Sequence, residues 1–372
     1  MINKNTIRTA MAALIIGALS SCDGKIDPLE LELPPVSDSE TQGSLVTMTF
    51  SASKPAGLAW KAEDRVAIYD GVAKREFTVV QVNEAGVATL NGRVKEGTEQ
   101  LHAVWPYAYA SETLPVEGKV SVNIPAVQRV DENAVSDPDA VVYVGQISDG
   151  NIVFESAVSH IKINIPEGVT SVSIKGLAYE NVAGNTAYVV LQPSGETFEA
   201  GQYSIAVIPQ TFKVGYKVVY AREGYLAVAK VDPEQGTELV LAPGQIYDIT
   251  EKTAADAFTW LANPIMTEAQ LREYLANQQA YASEIAKLGA DIALTGTWTP
   301  VELIGILDGQ GHVISGLNVT AGDDAGMFSV LTEDAALKNM TVEGSISLEA
   351  TKHPAQAGLV ANLYGTMYKV ES

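Results

Sequence analysis

The chain has 372 residues, 47% of them hydrophobic, and a formal net charge of -21. This length allows two or three domains with sizeable cores. The strongly negative surface repels nucleic acid, so we expect no nucleic-acid partner. A single cysteine excludes an intramolecular disulfide, so stability must come from buried cores and backbone hydrogen bonds.

The first residues predict export from the cytoplasm. Lys4 and Arg8 precede an apolar run over residues 10–19, which is the order found in secretory signals, and this run is too short to span a bilayer. Residues 19–22, Leu-Ser-Ser-Cys, resemble the bacterial lipobox. The resemblance implies that residues 1–21 are a signal peptide.

The same resemblance implies that Cys22 becomes the first mature residue and carries a covalent lipid. Residues 22–43 are rich in Pro, Glu, Asp and Ser, which is typical of a flexible tether. We therefore expect a lipoprotein of the bacterial outer membrane, held to the membrane through Cys22 and exposed on the cell surface. Apart from this lipid, we expect no cofactor.

From Leu45 onward the hydrophobic pattern has a period of two. Val46, Met48, Phe50 and Ala52 alternate with Thr and Ser, which predicts a half-buried strand. Further strands are predicted at residues 66–68, 77–82, 120–124, 161–165, 172–174, 203–208, 217–220 and 226–231. No helical pattern separates these strands, so we expect antiparallel β-sandwiches, with a break in the acidic loop 131–139.

An ordered set of motifs resembles fimbrillin-like envelope lipoproteins. The motifs lie at residues 50–53, 60, 64–69, 105–107, 124–128, 154–161, 201–205, 208–209 and 241–247. The resemblance implies two transthyretin-like β-sandwiches, at residues 44–131 and 132–252. It also implies a surface protein that builds a fimbria or decorates the cell, with fimbrial subunits as candidate partners.

Residues 253–372 have a different pattern, which begins with one helix. Thr267 and Gln270 form a capping box, and Leu271, Tyr274 and Leu275 follow at helical spacing. We expect this helix to cap the region that follows.

After the helix, short apolar segments recur. Residues 292–294, 317–319 and 340–342 are spaced by 25 and 23 residues, about the length of one coil of a parallel β-helix. Residues 308–312 and 314–317 resemble the entry coil of right-handed β-helices with GLUG-type repeats. No capping element follows the last repeat, so we expect further chain or a partner to cover that end.

The sequence offers few groups for catalysis. The four histidines, at 102, 160, 312 and 353, lack the spacing of a zinc site, and no nucleophile elbow or phosphate-binding loop occurs. We expect no enzyme activity and no metal. The alternative is a carbohydrate-active β-helix enzyme, whose candidate residues are Asp308, His312, Asp323 and Asp324. The glycines next to these residues are also typical of ordinary turns, in which the acidic side chains would have no catalytic function.

A binding function has more candidates. Six aromatic side chains could hold a sugar ring or pack in the core: Trp60, Trp105, Tyr107, Tyr109, Trp260 and Trp298. Four acidic side chains could gather calcium or stay solvated: Asp131, Glu132, Asp137 and Asp139. We expect an adhesin that presents its surface to a glycan or protein. The remaining alternative is an accessory fimbrial subunit in which residues 45–53 are a replaceable strand.

Overall fold

The computed structural model describes residues 44–54, 58–176, 188–254, 256–257, 259–281, 284–321, 324–349 and 356–372. The predicted signal peptide, Cys22 and the tether lie outside these residues. The described chain consists mainly of β-strands, with one α-helix among these residues. The all-β prediction is confirmed.

The first part of the fold is a closed barrel of seven strands. The first eight strands are β1 (Leu45–Ser53), β2 (Arg65–Tyr69), β3 (Lys74–Val82), β4 (Val87–Lys95), β5 (His102–Trp105), β6 (Val127–Val130), β7 (Tyr143–Ser148) and β8 (Asn151–Ser156). The barrel order is β1-β4-β3-β2-β5-β7-β8, and β1 closes it by pairing with β8. All its pairs are antiparallel except β1 with β8.

This barrel corrects two expectations from the sequence. A transthyretin-like sandwich was expected at residues 44–131, yet β1 pairs with strands on both of its edges, which leaves a closed cylinder. The barrel also takes β7 and β8 from beyond residue 131, while β6 joins the next sheet. The chain therefore passes between the two parts of the fold more than once.

The predicted strand at residues 120–124 is wrong. Only isolated bridges occur there, between Val122 and Ala110 and between Lys119 and Val116. Pro125 follows directly and lacks the N–H that would continue a ladder.

The second part contains three sheets whose buried side chains share one core. Its strands are β9 (Ser159–Ile165), β10 (Ser171–Gly176), β11 (Tyr188–Pro193), β12 (Gly201–Val207), β13 (Gln210–Phe212), β14 (Tyr216–Arg222), β15 (Tyr225–Val231), β16 (Leu239–Leu241), β17 (Ile246–Asp248) and β18 (Leu261–Ala262). One sheet has the order β18-β15-β14-β10-β11-β6, another β12-β9-β17, and β13 pairs with β16. Ile161 and Ile163 of β9 lie in one buried cluster with Val172 of β10 and Val218 of β14. The strands predicted at 161–165, 172–174, 203–208, 217–220 and 226–231 are confirmed by β9, β10, β12, β14 and β15.

The last part begins with one helix, α1 (Glu268–Tyr281). One half of its capping box is formed as predicted, because the Gln270 N–H donates to Thr267 Oγ1 at 3.3 Å. Gln270 Oε1 instead accepts from the N–H of Met266, the residue before the N-cap, at 2.8 Å. Leu271, Tyr274 and Leu275 are buried. Asn277 is an irregularity inside α1, with φ -122° and ψ 17°.

Three parallel sheets follow α1. Their strands are β19 (Ile285–Lys287), β20 (Ile292–Ala293), β21 (Val301–Leu303), β22 (Ile306–Asp308), β23 (Val313–Ala321), β24 (Asp324–Ala325), β25 (Phe328–Leu331), β26 (Ala336–Leu348), β27 (Gln356–Ala357), β28 (Val360–Leu363) and β29 (Thr366–Glu371). The sheets are β19-β22-β26-β23-β20 with β29 on β26, β21-β25-β28, and β24-β27. Every strand pair in them is parallel. Their inward side chains share one buried cluster with α1.

Candidate ligand-binding site

A cleft opens at one end of the barrel, where β1 ends, β2 begins and β5 ends. It has a volume of about 500 Å³, within the usual range for small-ligand sites. Its walls combine aromatic and charged side chains, among them Lys54, Asp64, Arg65, Trp105, Tyr107 and Asp139.

Lys54 lies at the floor of this cleft and is held by several groups. Its Nζ donates to the Ala59 carbonyl at 2.7 Å and to Asp64 Oδ2 at 3.1 Å. It also lies 3.8 Å from the centre of the Trp105 ring and 4.5 Å from that of Trp60. Only 5% of the Lys54 side chain is exposed. The ion pair with Asp64 and the cation–π contacts with Trp60 and Trp105 therefore fix the Lys54 side chain in the cleft.

The environment of Lys54 changes its titration. Burial lowers the pKa of Lys54, and the hydrogen bond and charge of Asp64 oppose this only partly. Asp64 in turn accepts from the Lys61 N–H at 2.9 Å. Because this carboxylate binds both a side chain and the backbone, it fixes the loop that leads into β2.

Trp105 is also held in place, since its neighbours leave little freedom for the ring. Its ring centre lies 5.7 Å from that of Trp60, in an edge-on arrangement, and 5.8 Å from that of Tyr143. Trp60 is 6% exposed, and its Nε1 donates to the Ala52 carbonyl at 2.9 Å. Trp60 therefore belongs to the barrel core. Trp105 packs against Trp60 and lines the cleft.

The rim of the cleft carries the groups that a ligand could reach. The Arg65 side chain is 57% exposed and forms an ion pair with Glu76 at 3.4 Å. Tyr107 is half-buried, with Lys74 Nζ 4.6 Å and Arg65 Cζ 5.7 Å from its ring centre. Asp139 also lines the cleft and is exposed. The rim therefore offers hydrogen-bonding groups of both charges beside an aromatic ring.

The other aromatic candidates pack against their surroundings. Trp298 is 2% exposed, and its Nε1 donates to the Met327 carbonyl at 2.9 Å. Trp260 packs beside the core of the second part, with Arg222 Cζ 4.0 Å from its ring centre. Tyr109 is half-buried, and burial followed by the charges of Asp139 and Asp137 raises its pKa.

The acidic loop does not converge on a cation site. Asp137 is buried and accepts from the Asp139 and Arg129 N–H groups, each at 2.8 Å. Asp131 accepts from Ser194 Oγ at 2.5 Å, and Glu132 is exposed. Within the described ranges, no group of three or more His, Cys, Asp or Glu side chains is arranged to hold a metal ion.

The residues of the enzymatic alternative serve turns where they are described. Asp308 Oδ1 accepts from the Gln310 N–H and from Asn339 Nδ2, both at 3.0 Å. Burial alone would raise the pKa of Asp308, but these hydrogen bonds lower it. His312 Nδ1 lies 3.1 Å from Asp291 Oδ1. Asp323, the Asp324 side chain and His353 lie outside the described residues.

Sequence reasoning found Trp60, Trp105 and Tyr107 but missed Lys54 and Arg65. Both cations lie next to strand ends, where a charge usually indicates solvent exposure. The sequence did contain a signal for Lys54, since this lysine lies close to Trp60 in the chain. An aromatic ring can bind a nearby cation.

Comparison with known proteins adds no relative: no family model matches the chain, and no curated protein matches it. Among the residues that the structure describes, no helix is long and apolar enough to cross a membrane.

Proposed function

We propose that the chain is a non-enzymatic cell-surface lipoprotein that binds a glycan or protein partner through its folded part. The sequence of residues 1–22 supports attachment to the outer membrane by a lipid on Cys22. Adhesion would then arise from display of a binding surface rather than from turnover of a substrate.

The finer architecture is part of this proposal. We infer a β-sandwich from the sheets of the second part, because their buried side chains share one core. The three parallel sheets that enclose one core support a β-helix of the GLUG-repeat kind, with α1 as its cap. Such stacked coils present long, regular faces, which suits an adhesive surface.

One observation carries the binding proposal: the cleft at the end of the barrel has a rigid floor and an accessible, charged rim. Lys54, Asp64 and Trp105 are fixed to one another before any ligand arrives. Preorganised walls reduce the entropy lost on binding. Exposed Arg65 and Asp139 supply hydrogen bonds, and Tyr107 supplies an apolar ring, the combination that polar ligands such as sugars need.

Attachment is tested by protease treatment of intact cells that express the chain or its Cys22→Ala variant. We expect protease to remove the wild-type chain from the cell surface and the variant to lack membrane attachment. Protection of the wild-type chain until the outer membrane is opened would contradict surface display.

Binding at the cleft is tested with Arg65→Ala and Tyr107→Ala on arrays of glycans and extracellular proteins. We expect each variant to weaken binding of a recognised partner about fivefold to tenfold. Lys119→Ala is the matched control, because Lys119 is exposed and lies outside the cleft. An unchanged affinity in both cleft variants would refute this site.

A second candidate is an accessory fimbrial subunit assembled by strand exchange, and β1 favours it. β1 places Phe50 and Ala52 in the barrel core, yet it joins β8 through only three residue pairs. A labelled peptide of residues 45–53 should then enter the barrel slowly, whereas a peptide with Phe50→Asp should not. Equal uptake of the two peptides would exclude specific exchange.

A further inference from the structure

The three parallel sheets that follow α1 are called the parallel region below. One outward face of this region carries a column of aligned charged and aromatic side chains. In the sheet that contains β19, β22, β26 and β29, Lys287 pairs in register with Asp308, Asp308 with Lys338, and Lys338 with Tyr368. Their chain neighbours Ala286, Leu307 and Leu337 are buried, and Met367 packs on the same core, so the column points outward. Neighbouring strands lie about 4.8 Å apart, and the column therefore extends about 15 Å.

Lys369 adds a third cation to this face. It follows Tyr368 directly, and its Nζ lies 5.2 Å from the centre of the Tyr368 ring. Lys369 is exposed, and 54% of Tyr368 is exposed. The aromatic ring and the ammonium group are therefore both accessible at the end of the column.

The lysines of this region are concentrated on this face. Residues 284–372 contain four lysines, no arginine and eleven acidic residues. Three of the lysines are Lys287, Lys338 and Lys369, and the fourth, Lys352, lies outside the described residues. In a chain of net charge -21, this placement brings three of the cations of the region together.

The one acid in the column is already engaged. Asp308 accepts hydrogen bonds from the Gln310 N–H and from Asn339 Nδ2. Lys338 lies close enough to help lower the pKa of Asp308. Among the described residues, none of the three lysines forms an ion pair within 4.0 Å. The three lysines and Asp308 together therefore carry a net positive charge.

We propose that this face, defined by Lys287, Lys338, Tyr368 and Lys369, binds an extended acidic glycan chain along the direction in which the strands stack. The lysines would bind carboxylate or sulfate groups on successive sugars, and Tyr368 would pack against a sugar ring. This inference rests on the proposed adhesive function and names its ligand class.

The first test measures binding of the full chain, carrying Cys22→Ala for solubility, to immobilised alginate, dextran sulfate and neutral dextran. We expect both acidic glycans to bind at least about tenfold more tightly than dextran, with binding that weakens as salt screens the charges. Comparing alginate with dextran sulfate shows whether carboxylate or sulfate is preferred. Equal binding to neutral dextran would overturn the proposal.

The second test uses two triple variants that remove the same charge. Lys287→Gln, Lys338→Gln and Lys369→Gln together should weaken binding to the acidic glycans about tenfold or more. Lys119→Gln, Lys230→Gln and Lys252→Gln together are the control, because these lysines are exposed elsewhere. Equal losses in the two triple variants would mean that overall charge governs binding, which contradicts a local site.

A third measurement separates sugar recognition from attraction to any polyanion. Tyr368→Ala should weaken binding to alginate severalfold and leave binding to polyphosphate unchanged. Lysine-dependent binding of DNA or anionic vesicles that equals glycan binding would overturn sugar recognition. Surface display is measured separately by protease treatment of cells, so failure here and failure of the lipoprotein proposal remain distinguishable.

Discussion

Asp70 is a buried carboxylate that holds one end of the barrel together. Its side chain is fully buried and accepts from Arg75 Nε at 2.6 Å and from the Lys95 N–H at 2.9 Å. It also accepts from the N–H groups of Val72 and Ala73, within the turn between β2 and β3. One side chain therefore fixes this turn and connects it to the end of β4.

Replacing Asp70 with Asn should destabilise the fold by about 3 kcal/mol, because Arg75 would lose its charged partner inside the protein. The variant keeps the size of the side chain, so the loss reports charge and hydrogen bonding. Urea unfolding followed by circular dichroism gives the free energy, and Asp149→Asn on an exposed turn is the control. A loss below about 0.5 kcal/mol would show that Asp70 contributes little.

The Asp70 contribution should also depend on pH. Burial alone would raise the pKa of Asp70, but the hydrogen bonds from Arg75 and the backbone lower it below the usual value. In the unfolded chain the Asp70 carboxyl has a pKa of about 3.9, so it binds a proton at higher pH than in the folded chain. The stability from Asp70 is therefore present above about pH 4 and is lost as the pH falls through the folded pKa.

This pH dependence is measured as the difference in unfolding free energy between the wild-type chain and Asp70→Asn. We expect a full difference at about pH 7 and a smaller one at about pH 3, because Asn does not titrate. A difference that stays constant across this range would mean that folding does not change the pKa of Asp70, which would contradict this account.

At the scale of elements, the Gln128 side chain of β6 hydrogen-bonds to the backbone of β12, which is an edge strand of its sheet. Its Nε2 donates to the Ala206 carbonyl at 2.7 Å, and its Oε1 accepts from the Ala206 N–H at 3.0 Å. The side-chain amide thus makes the two bonds that a neighbouring backbone would make to β12. Gln128 is fully buried, so both bonds are formed away from water.

Gln128→Leu should destabilise the fold by about 2 to 3 kcal/mol, because it leaves the Ala206 N–H and carbonyl buried without these partners. Gln128→Glu should cost as much or more, since it removes the donor and buries a charge. Chemical denaturation measures both, with Gln202→Leu at an exposed position of β12 as the control. If Gln128→Leu were no worse than Gln202→Leu, the edge would have another source of protection.

Elements defined by local signals were predicted best. α1 followed from Thr267, Gln270 and the buried stripe, because capping and helical spacing act within a few residues. The barrel was missed because closure depends on β1 meeting β8 across about a hundred residues, and a period of two does not encode which strands pair. The cleft was found in part: aromatic rings stand out in a sequence, whereas the partner of a loop lysine depends on the fold.

At the scale of the whole molecule, a buried ion-pair cluster links the second part to the parallel region. Glu284, just after α1, lies 2.8 Å from Lys175 Nζ of β10 and 2.6 Å from Lys217 Nζ of β14. Burial alone would raise the pKa of Glu284, but the hydrogen bonds from both lysines lower it. This carboxylate therefore joins the residue just before β19 to the sheet that contains β10 and β14.

Glu284→Gln should lower the unfolding free energy by about 2 to 3 kcal/mol, because the negative charge between the buried Lys217 and the half-buried Lys175 is lost. The two parts should also unfold less cooperatively, so calorimetry should show a broader or divided transition. Glu273→Gln is the control, since Glu273 is exposed on α1. A single transition at the wild-type temperature would show that apolar contacts alone couple the two parts, and that the ion pairs only satisfy charges which the contact has buried.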